Sequence, residues 1–219
     1  AAGGVADSIE ALQERIKARP PMRSLPSPPL MHGAAHWVAF NMWHVGATVV
    51  IQSEVERFNP DDIWSTVERE RVNAITIVGD AFARPLLDQL AKKDYDLTSL
   101  ALVTSGGAIF TAALKQEFLD VLPNIKIMDA LGSSETGAQG THFSTQESGG
   151  ATGKFDLSDQ NVVLRSDLSG LVEKGSEEIG WLARFGYVPL GYFDDPGKTA
   201  KTFPEIDGIR YSVPGDRAM

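Results

Sequence analysis

The sequence has no cysteine. That excludes a disulfide framework and thiolate chemistry, and it suits a reducing compartment. No run approaches the roughly 20 apolar residues that span a bilayer, and nothing at the start reads as a signal peptide. The expectation is a cytoplasmic protein, either free or attached peripherally to a membrane. Basic residues are in deficit: 20 Lys and Arg face 29 Asp and Glu, a formal charge of −9. A nucleic-acid binder would normally carry a basic patch, so that class is disfavoured. An acidic chain can still hold an anion through backbone N–H groups, a helix N-terminus or a metal ion. Repeats and low-complexity blocks are also missing. What is there, 219 residues of which 42% are hydrophobic, can bury a core and suits one large domain or two small ones.

Ile9, Leu12 and Ile16 have helical spacing behind Ser8, a capping residue, and predict a helix over 8–19. Five prolines between 20 and 29 forbid helix and predict an extended connector. The apolar stretch from Gly33 to His44 predicts a buried helix, with Trp37, Phe40, Met42 and Trp43 as core; some of these could instead line an apolar pocket. Gly46 ends it and a strand follows over 48–51.

The next hundred residues alternate. Asn59–Pro60–Asp61–Asp62 starts a helix whose apolar stripe carries Ile63 and Val67. Strands are predicted at 73–78, 100–104 and 125–130. Helices are predicted at 81–92, where Pro85 puts the start in doubt, and at 111–122, with Leu114, Phe118 and Leu122 on one face. Strand–helix–strand–helix–strand with continuously apolar strands is the signature of an α/β fold with a mostly parallel sheet flanked by helices. Beyond about residue 150, glycine and short apolar runs such as 161–164 and 181–185 predict a smaller β-rich subdomain. The expected division is 1–150 and 151–219, with the change near 148–155.

In such sheets ligands lie beyond the carboxyl ends of the strands. Two loops fall there. Ser105–Gly106–Gly107–Ala108 lets backbone approach a flat ligand closely, or is a plain strand-to-helix turn. Leu131–Gly132–Ser133–Ser134–Glu135–Thr136–Gly137 offers hydroxyls and a carboxylate to phosphate oxygens and a hard cation, or is a turn capping a helix. Later, Tyr211–Ser212–Val213–Pro214–Gly215–Asp216–Arg217 sets a carboxylate after a tight turn, where it can accept from both ribose hydroxyls, or is a hairpin with a surface ion pair. His32 and His36 have a zinc-compatible spacing. Gly33 follows the first histidine and no third ligand is apparent, so packing or substrate lining is the better reading.

Taken in order and spacing, these segments resemble the adenylate-forming superfamily: acyl-CoA synthetases, peptide-synthetase adenylation domains and luciferases. Pro29–Leu30–Met31–His32–Gly33 looks like its proline–leucine–aromatic–histidine motif. Ser105–Ala108 looks like its adenine-flanking loop, and Leu131–Glu135 like its tyrosine–glycine–x–threonine–glutamate motif. Ile179–Gly180–Trp181–Leu182 through Gly191–Tyr192 looks like the segment before its hinge, and Tyr211–Asp216 like its ribose motif. The likeness extends from about residue 20 onward. Met31 to Trp43 and Ala130 to Thr141 look most like actinobacterial fatty-acyl or steroid side-chain CoA ligases.

The resemblance implies a carboxylic acid, ATP and coenzyme A (CoA) as substrates, with Mg²⁺ as cofactor. A carboxylate attacks the α-phosphorus to give acyl-adenylate and pyrophosphate; the CoA thiol then takes the acyl group and AMP leaves. It implies that Glu135 holds Mg²⁺ and that Ser134 contacts the α-phosphate. Gly106, Gly107 and Ala108 would flank adenine, with Asp129, Ala130 and Leu131 around it, and Asp216 would bind the ribose. His32 would lie beside the substrate carboxylate or close the acyl tunnel, with Trp37, Gly79 and Asp80 bordering the acyl group. Chemistry of this kind needs charge neutralisation at the phosphates more than a side-chain nucleophile.

Three departures matter. Leu131 replaces the usual aromatic, so adenine would rest on an aliphatic side chain. Val213–Pro214 replaces the usual arginine–threonine, which removes a cation and stiffens that loop. No serine/threonine/glycine-rich phosphate loop ending in proline–lysine–glycine is found, and the sequence given ends at Met219, before the hinge and the catalytic lysine of the family. The expectation is a central fragment that does not turn over alone, because each loss of about 1.4 kcal/mol in transition-state binding is about tenfold in rate. Two other readings stay open. One is an adenylating enzyme that loads a carrier protein or adds an oxidative step. The other is a non-catalytic nucleotide-binding module on the same scaffold, which the presence of both Glu135 and Asp216 disfavours.

Overall fold

The computed structural model describes residues 8–219. Ser8 caps helix α1 (Ile9–Lys17), its hydroxyl accepting from the Ala11 amide at 3.1 Å. The prolines of 20–29 do forbid helix, yet the segment is not a connector. It contains β1 (Arg23–Pro26), an inner strand paired in parallel with β2 (Thr48–Val49) and β3 (Ala74–Ile77). Proline is compatible with extended backbone, and Pro26 stands at the strand's end, where the missing N–H is least costly.

Helix α2 (Gly33–His44) forms as expected, but it is not buried. Only Ala35 and Ala39 are covered, while Trp37, Phe40 and Trp43 are 40%, 48% and 54% exposed. The apolar residues surround the helix, and its small alanines form the face turned to the sheet.

Helix α3 (Pro60–Glu70) starts at Asn59, whose side chain accepts from the amides of Asp61 and Asp62. Ile63 and Val67 are buried, together with Trp64, whose indole N–H donates to the Leu86 carbonyl at 2.9 Å. That bond ties α3 to α4 (Gly79–Leu90). Helix α4 begins two residues before the expected start and runs through Pro85. A proline inside a helix removes one backbone bond, and burial of Ala83, Leu86 and Leu87 on this helix offsets that cost. Strand β4 (Leu102–Gly106), helix α5 (Ala112–Val121) and strand β5 (Lys126–Ser133) complete the alternation.

The chain forms two compact units: residues up to Ala130 with Thr141–Lys154, and Leu131–Gly140 with Phe155–Met219. In the first, parallel strands run in the order β2-β1-β3-β4-β5, with the far half of β6 (Gly137–Ser144) beside β5. The register pairs Ile75 with Val103, Thr104 with Met128, and Gly106 with Ala130. All four residues of β3 are buried, as a strand covered on both faces requires. Around it lie Leu25, Trp64, Val103, Phe118 and Ile127, none more than 2% exposed.

The second unit holds β7 (Asp156–Leu157) and an antiparallel sheet centred on β9 (Gly180–Phe185). Strand β8 (Asn161–Leu164) pairs along it. Helix α6 (Pro196–Thr202) and β10 (Glu205–Ile206) lead into β11 (Ile209–Ser212). Strands β11 and β12 (Arg217–Ala218) pair with the two ends of β9. Its core is small: Leu164, Ala183 and Tyr211. The β character expected beyond residue 150 is present. Strand β5 is longer than the 125–130 expected, so Leu131, Gly132 and Ser133 are strand, and the turn is confined to 134–136 between β5 and β6. No helix follows it.

Candidate functional site

In the first unit the chemistry-bearing residues gather at the carboxyl ends of β3, β4 and β5. Gly106 is in register with Ala130, and a Cβ on it would stand 3.2 Å from the Ala130 carbonyl oxygen. His32 caps α2, its Nδ1 accepting from the Ala34 amide at 3.3 Å. The same ring reaches the glycine loop: a Cβ on Gly107 would lie 3.5 Å from His32 Cε1. Histidine and loop are thus neighbours although about 75 residues apart in sequence. His36 instead packs on Phe40, with ring centroids 4.8 Å apart. Among the described residues no three His, Cys, Asp or Glu side chains converge on a metal position.

Gly79 and Asp80 support that loop. The Gly79 amide donates to Ser105 Oγ at 3.0 Å, the Asp80 amide to the Ile109 carbonyl at 3.0 Å, and Asp80 Oδ1 accepts from the Thr111 amide at 2.8 Å. Gly79 has φ of +51°, and a Cβ there would lie 2.3 Å from the Ile109 oxygen. Only glycine fits both the backbone angle and the approach. Trp37 stands on α2, where a Cβ on Gly33 would touch its ring at 3.8 Å.

Asp129, on β5, is 8% exposed and its carboxylate is engaged. Lys115 of α5, only 1% exposed, donates to Asp129 Oδ2 at 2.5 Å, to the Ala151 carbonyl, and to Thr152 Oγ1 at 3.2 Å. Burial pushes the Asp129 carboxyl above its ordinary 3.8, while Lys115 and His142 oppose the shift. A lysine on the apolar face of α5 gave no sequence signal, because such a residue is normally read as a solvated cation.

In the second unit the hairpin tip is tightly pinned. A Cβ on Gly132 would stand 2.3 Å from the Gly137 carbonyl oxygen, so the two limbs close only over glycine. The Ser133 amide donates to Thr136 Oγ1 at 3.0 Å, and the Glu135 amide donates to Ser133 Oγ at 3.2 Å. Ser134 is exposed at the turn, and Leu131 is half-buried on the incoming strand. Glu135 is held from two further directions. Ser212 Oγ donates to its carbonyl oxygen at 2.8 Å, and the Tyr192 hydroxyl donates to its Oε1 at 2.6 Å. The Tyr192 hydroxyl, with Ser133 and Lys198, holds the Glu135 carboxyl below its usual 4.5, against the effect of partial burial. Asp216 is exposed before β12, and its carbonyl accepts from the Leu182 amide at 2.9 Å.

The sequence placed Gly191–Tyr192 in a pre-hinge segment and gave Tyr192 no role. A signal was there: Asp195–Pro196 is a helix start, and it fixes the chain just after Tyr192.

The AMP-binding enzyme family matches residues 4–180. The chain belongs to that family. It is 47% identical over 216 residues to "Medium-chain acyl-CoA ligase Mig" of Mycobacterium avium, covering 99% of this chain and 39% of that protein. It is 42% identical over 212 residues to a "Medium/long-chain-fatty-acid--CoA/3-oxocholest-4-en-26-oate--CoA ligase" of Mycolicibacterium smegmatis, covering 94% and 38%. The chain therefore spans less than two-fifths of the length of these relatives. Among solved structures, the amide bond synthetase McbA of Marinactinospora thermotolerans matches with TM-score 0.71 and 24% identity over 94% of this chain and 41% of that one. The nonribosomal peptide synthetase FmoA3 matches with TM-score 0.76 and 23% identity, over 94% and 23%. Both share the mostly parallel α/β fold.

Proposed function

We propose that the polypeptide carrying this chain is an AMP-forming acyl-CoA synthetase. Its acid substrate is a fatty acid or a steroid side chain, activated by ATP and transferred to CoA. Support for CoA as acceptor comes from the relatives' names, medium-chain acyl-CoA ligase and 3-oxocholest-4-en-26-oate–CoA ligase. The observation that carries the chemistry is Glu135, a carboxylate fixed at a serine-rich turn.

Glu135 would hold Mg²⁺. The residues fit that ion: Mg²⁺ takes hard oxygen ligands, usually one or two carboxylates with substrate phosphates, rather than a cage of protein side chains. One carboxylate at a turn with the Ser133 hydroxyl beside it meets that description. When bound, the ion supplies neutralisation of phosphate charge. Ser134 would donate to the α-phosphate. Gly106, Gly107 and Ala108 would lie along adenine, whose edge meets Asp129 and Ala130 and whose face rests on Leu131. Because Lys115 holds Asp129 Oδ2, Asp129 would offer its other oxygen or its backbone. Asp216 would accept from the ribose hydroxyls. His32, beside the glycine loop, would meet the substrate carboxylate. Trp37, Gly79 and Asp80 would border the acyl chain. These substrates and the absence of cysteine suit the cytoplasm, and no described helix is long and apolar enough to cross a membrane.

The test is isothermal titration of the full-length polypeptide with a non-hydrolysable acyl-AMP analogue. A Glu135→Gln, Asp216→Ala double variant should lose binding while staying folded. Equal binding by both proteins would remove these residues from the site.

A further inference from the structure

We propose that Tyr192 is the positioning residue of the Glu135 carboxylate, holding one oxygen so that the other is presented to the cation. The inference rests on the reading of Glu135 as the magnesium-holding group.

A glutamate in a surface turn has three side-chain torsions and little to choose between their rotamers. Glu135 is half-buried, and its backbone is already fixed by Ser133 and Ser212. What remains to be set is the carboxylate itself, and the Tyr192 hydroxyl sets it by donating to Oε1 at 2.6 Å. A phenol can position an acceptor only as well as its own ring is held. This ring is gripped from several directions. Lys198 Nζ stands 4.0 Å from the ring centroid, within the range of a cation–π contact. The Phe203 ring packs against it at a centroid distance of 5.7 Å. The Tyr192 amide donates to Thr199 Oγ1 at 2.9 Å, and that hydroxyl donates onward to the Asp195 carbonyl at 2.7 Å. Asp195 in turn caps α6, with Oδ1 accepting from the Lys198 amide at 2.8 Å.

Aromatic, cation and threonine thus come from one short segment, 192–203, that folds on itself and aims a single hydroxyl at Glu135. The arrangement occupies one acceptor site on Glu135 Oε1. A purely structural tie between α6 and the turn would not need that oxygen to belong to this carboxylate. A hydrogen bond to a charged group is also among the stronger ones, so its loss should be measurable where the carboxylate acts.

The experiment uses Mn²⁺ as the probe, titrated against the full-length polypeptide with ATP and followed by electron paramagnetic resonance. ATP affinity without metal and thermal unfolding serve as controls. Tyr192→Phe is expected to weaken Mn²⁺ binding in the nucleotide complex about tenfold, with ATP affinity without metal unchanged. Glu135→Gln is expected to weaken it at least as much. Thr199→Val, which keeps the Tyr192 hydroxyl but removes the acceptor that holds the Tyr192 amide, should give a smaller shift in the same direction with no change of charge near Glu135; it replaces Tyr192→Phe if that variant unfolds. If Glu135→Gln weakens Mn²⁺ binding and neither Tyr192→Phe nor Thr199→Val does, Tyr192 only ties α6 to the turn and the inference falls while the reading of Glu135 stands. If Glu135→Gln itself leaves Mn²⁺ binding unchanged, the reading of Glu135 falls and the inference with it.

Discussion

Nζ of Lys115 lies 2.5 Å from Oδ2 of Asp129, and both side chains are inside the first unit. The same ammonium reaches the Ala151 carbonyl and Thr152 Oγ1, so one cation joins α5, β5 and the segment at 151–152. Removing one partner of a buried pair strands the other without water. Lys115→Met should therefore destabilise the protein by about 3–5 kcal/mol. A Lys115→Met, Asp129→Asn double variant should be more stable than the single one, because no buried charge is left unpaired. Denaturant unfolding of the wild type, the Lys115→Met and Asp129→Asn single variants and the double variant decides this. Additive losses would mean that the two groups act independently.

Gly79 ties a backbone angle to the glycine loop. Its φ of +51° and the 2.3 Å approach of the Ile109 oxygen leave no room for a Cβ. Gly79→Ala should cost about 1–3 kcal/mol of stability. It should also weaken nucleotide binding, because Gly79 and Asp80 hold both ends of the 105–111 loop. Unfolding and ATP titration on the same sample test both effects. An unchanged ATP affinity would separate the loop from the nucleotide.

The Glu135–Tyr192 bond carries a pH dependence. The folded-state carboxyl lies below its usual 4.5, so the unfolded chain binds the proton more readily. The stabilisation from the ionised form is then complete above about pH 4.5 and is lost as the pH falls through the lower folded-state value. Urea midpoints of the wild type and Tyr192→Phe should differ at pH 7 and converge in acid. A difference that persists unchanged in acid would mean that the bond does not depend on the ionised carboxylate.

Much of the fold could be read from the chain because local and global signals agree there. Asn59–Pro60 starts α3 where its capping chemistry says it must, and the mostly apolar 73–78 becomes a strand over Ala74–Ile77, buried along its length. The readings that failed lacked a directional signal. Five prolines exclude helix but do not distinguish a connector from the inner strand β1. Helix α2 is apolar all round, so spacing could not show that Ala35 and Ala39, rather than Trp37 and Phe40, face inward. At the candidate site, glycines and acids stood out by type and spacing. Tyr192 and Lys115 did not, since each acts through a partner 57 or 14 residues away, and such pairings exist only after folding.

The most direct test is nucleotide analysis of the full-length polypeptide supplied with a medium-chain fatty acid, ATP, Mg²⁺ and CoA. The account requires AMP, pyrophosphate and acyl-CoA in equal amounts, dependent on the acid and largely lost in Glu135→Gln. Formation of ADP and phosphate, or AMP formation that Glu135→Gln leaves intact, would contradict it.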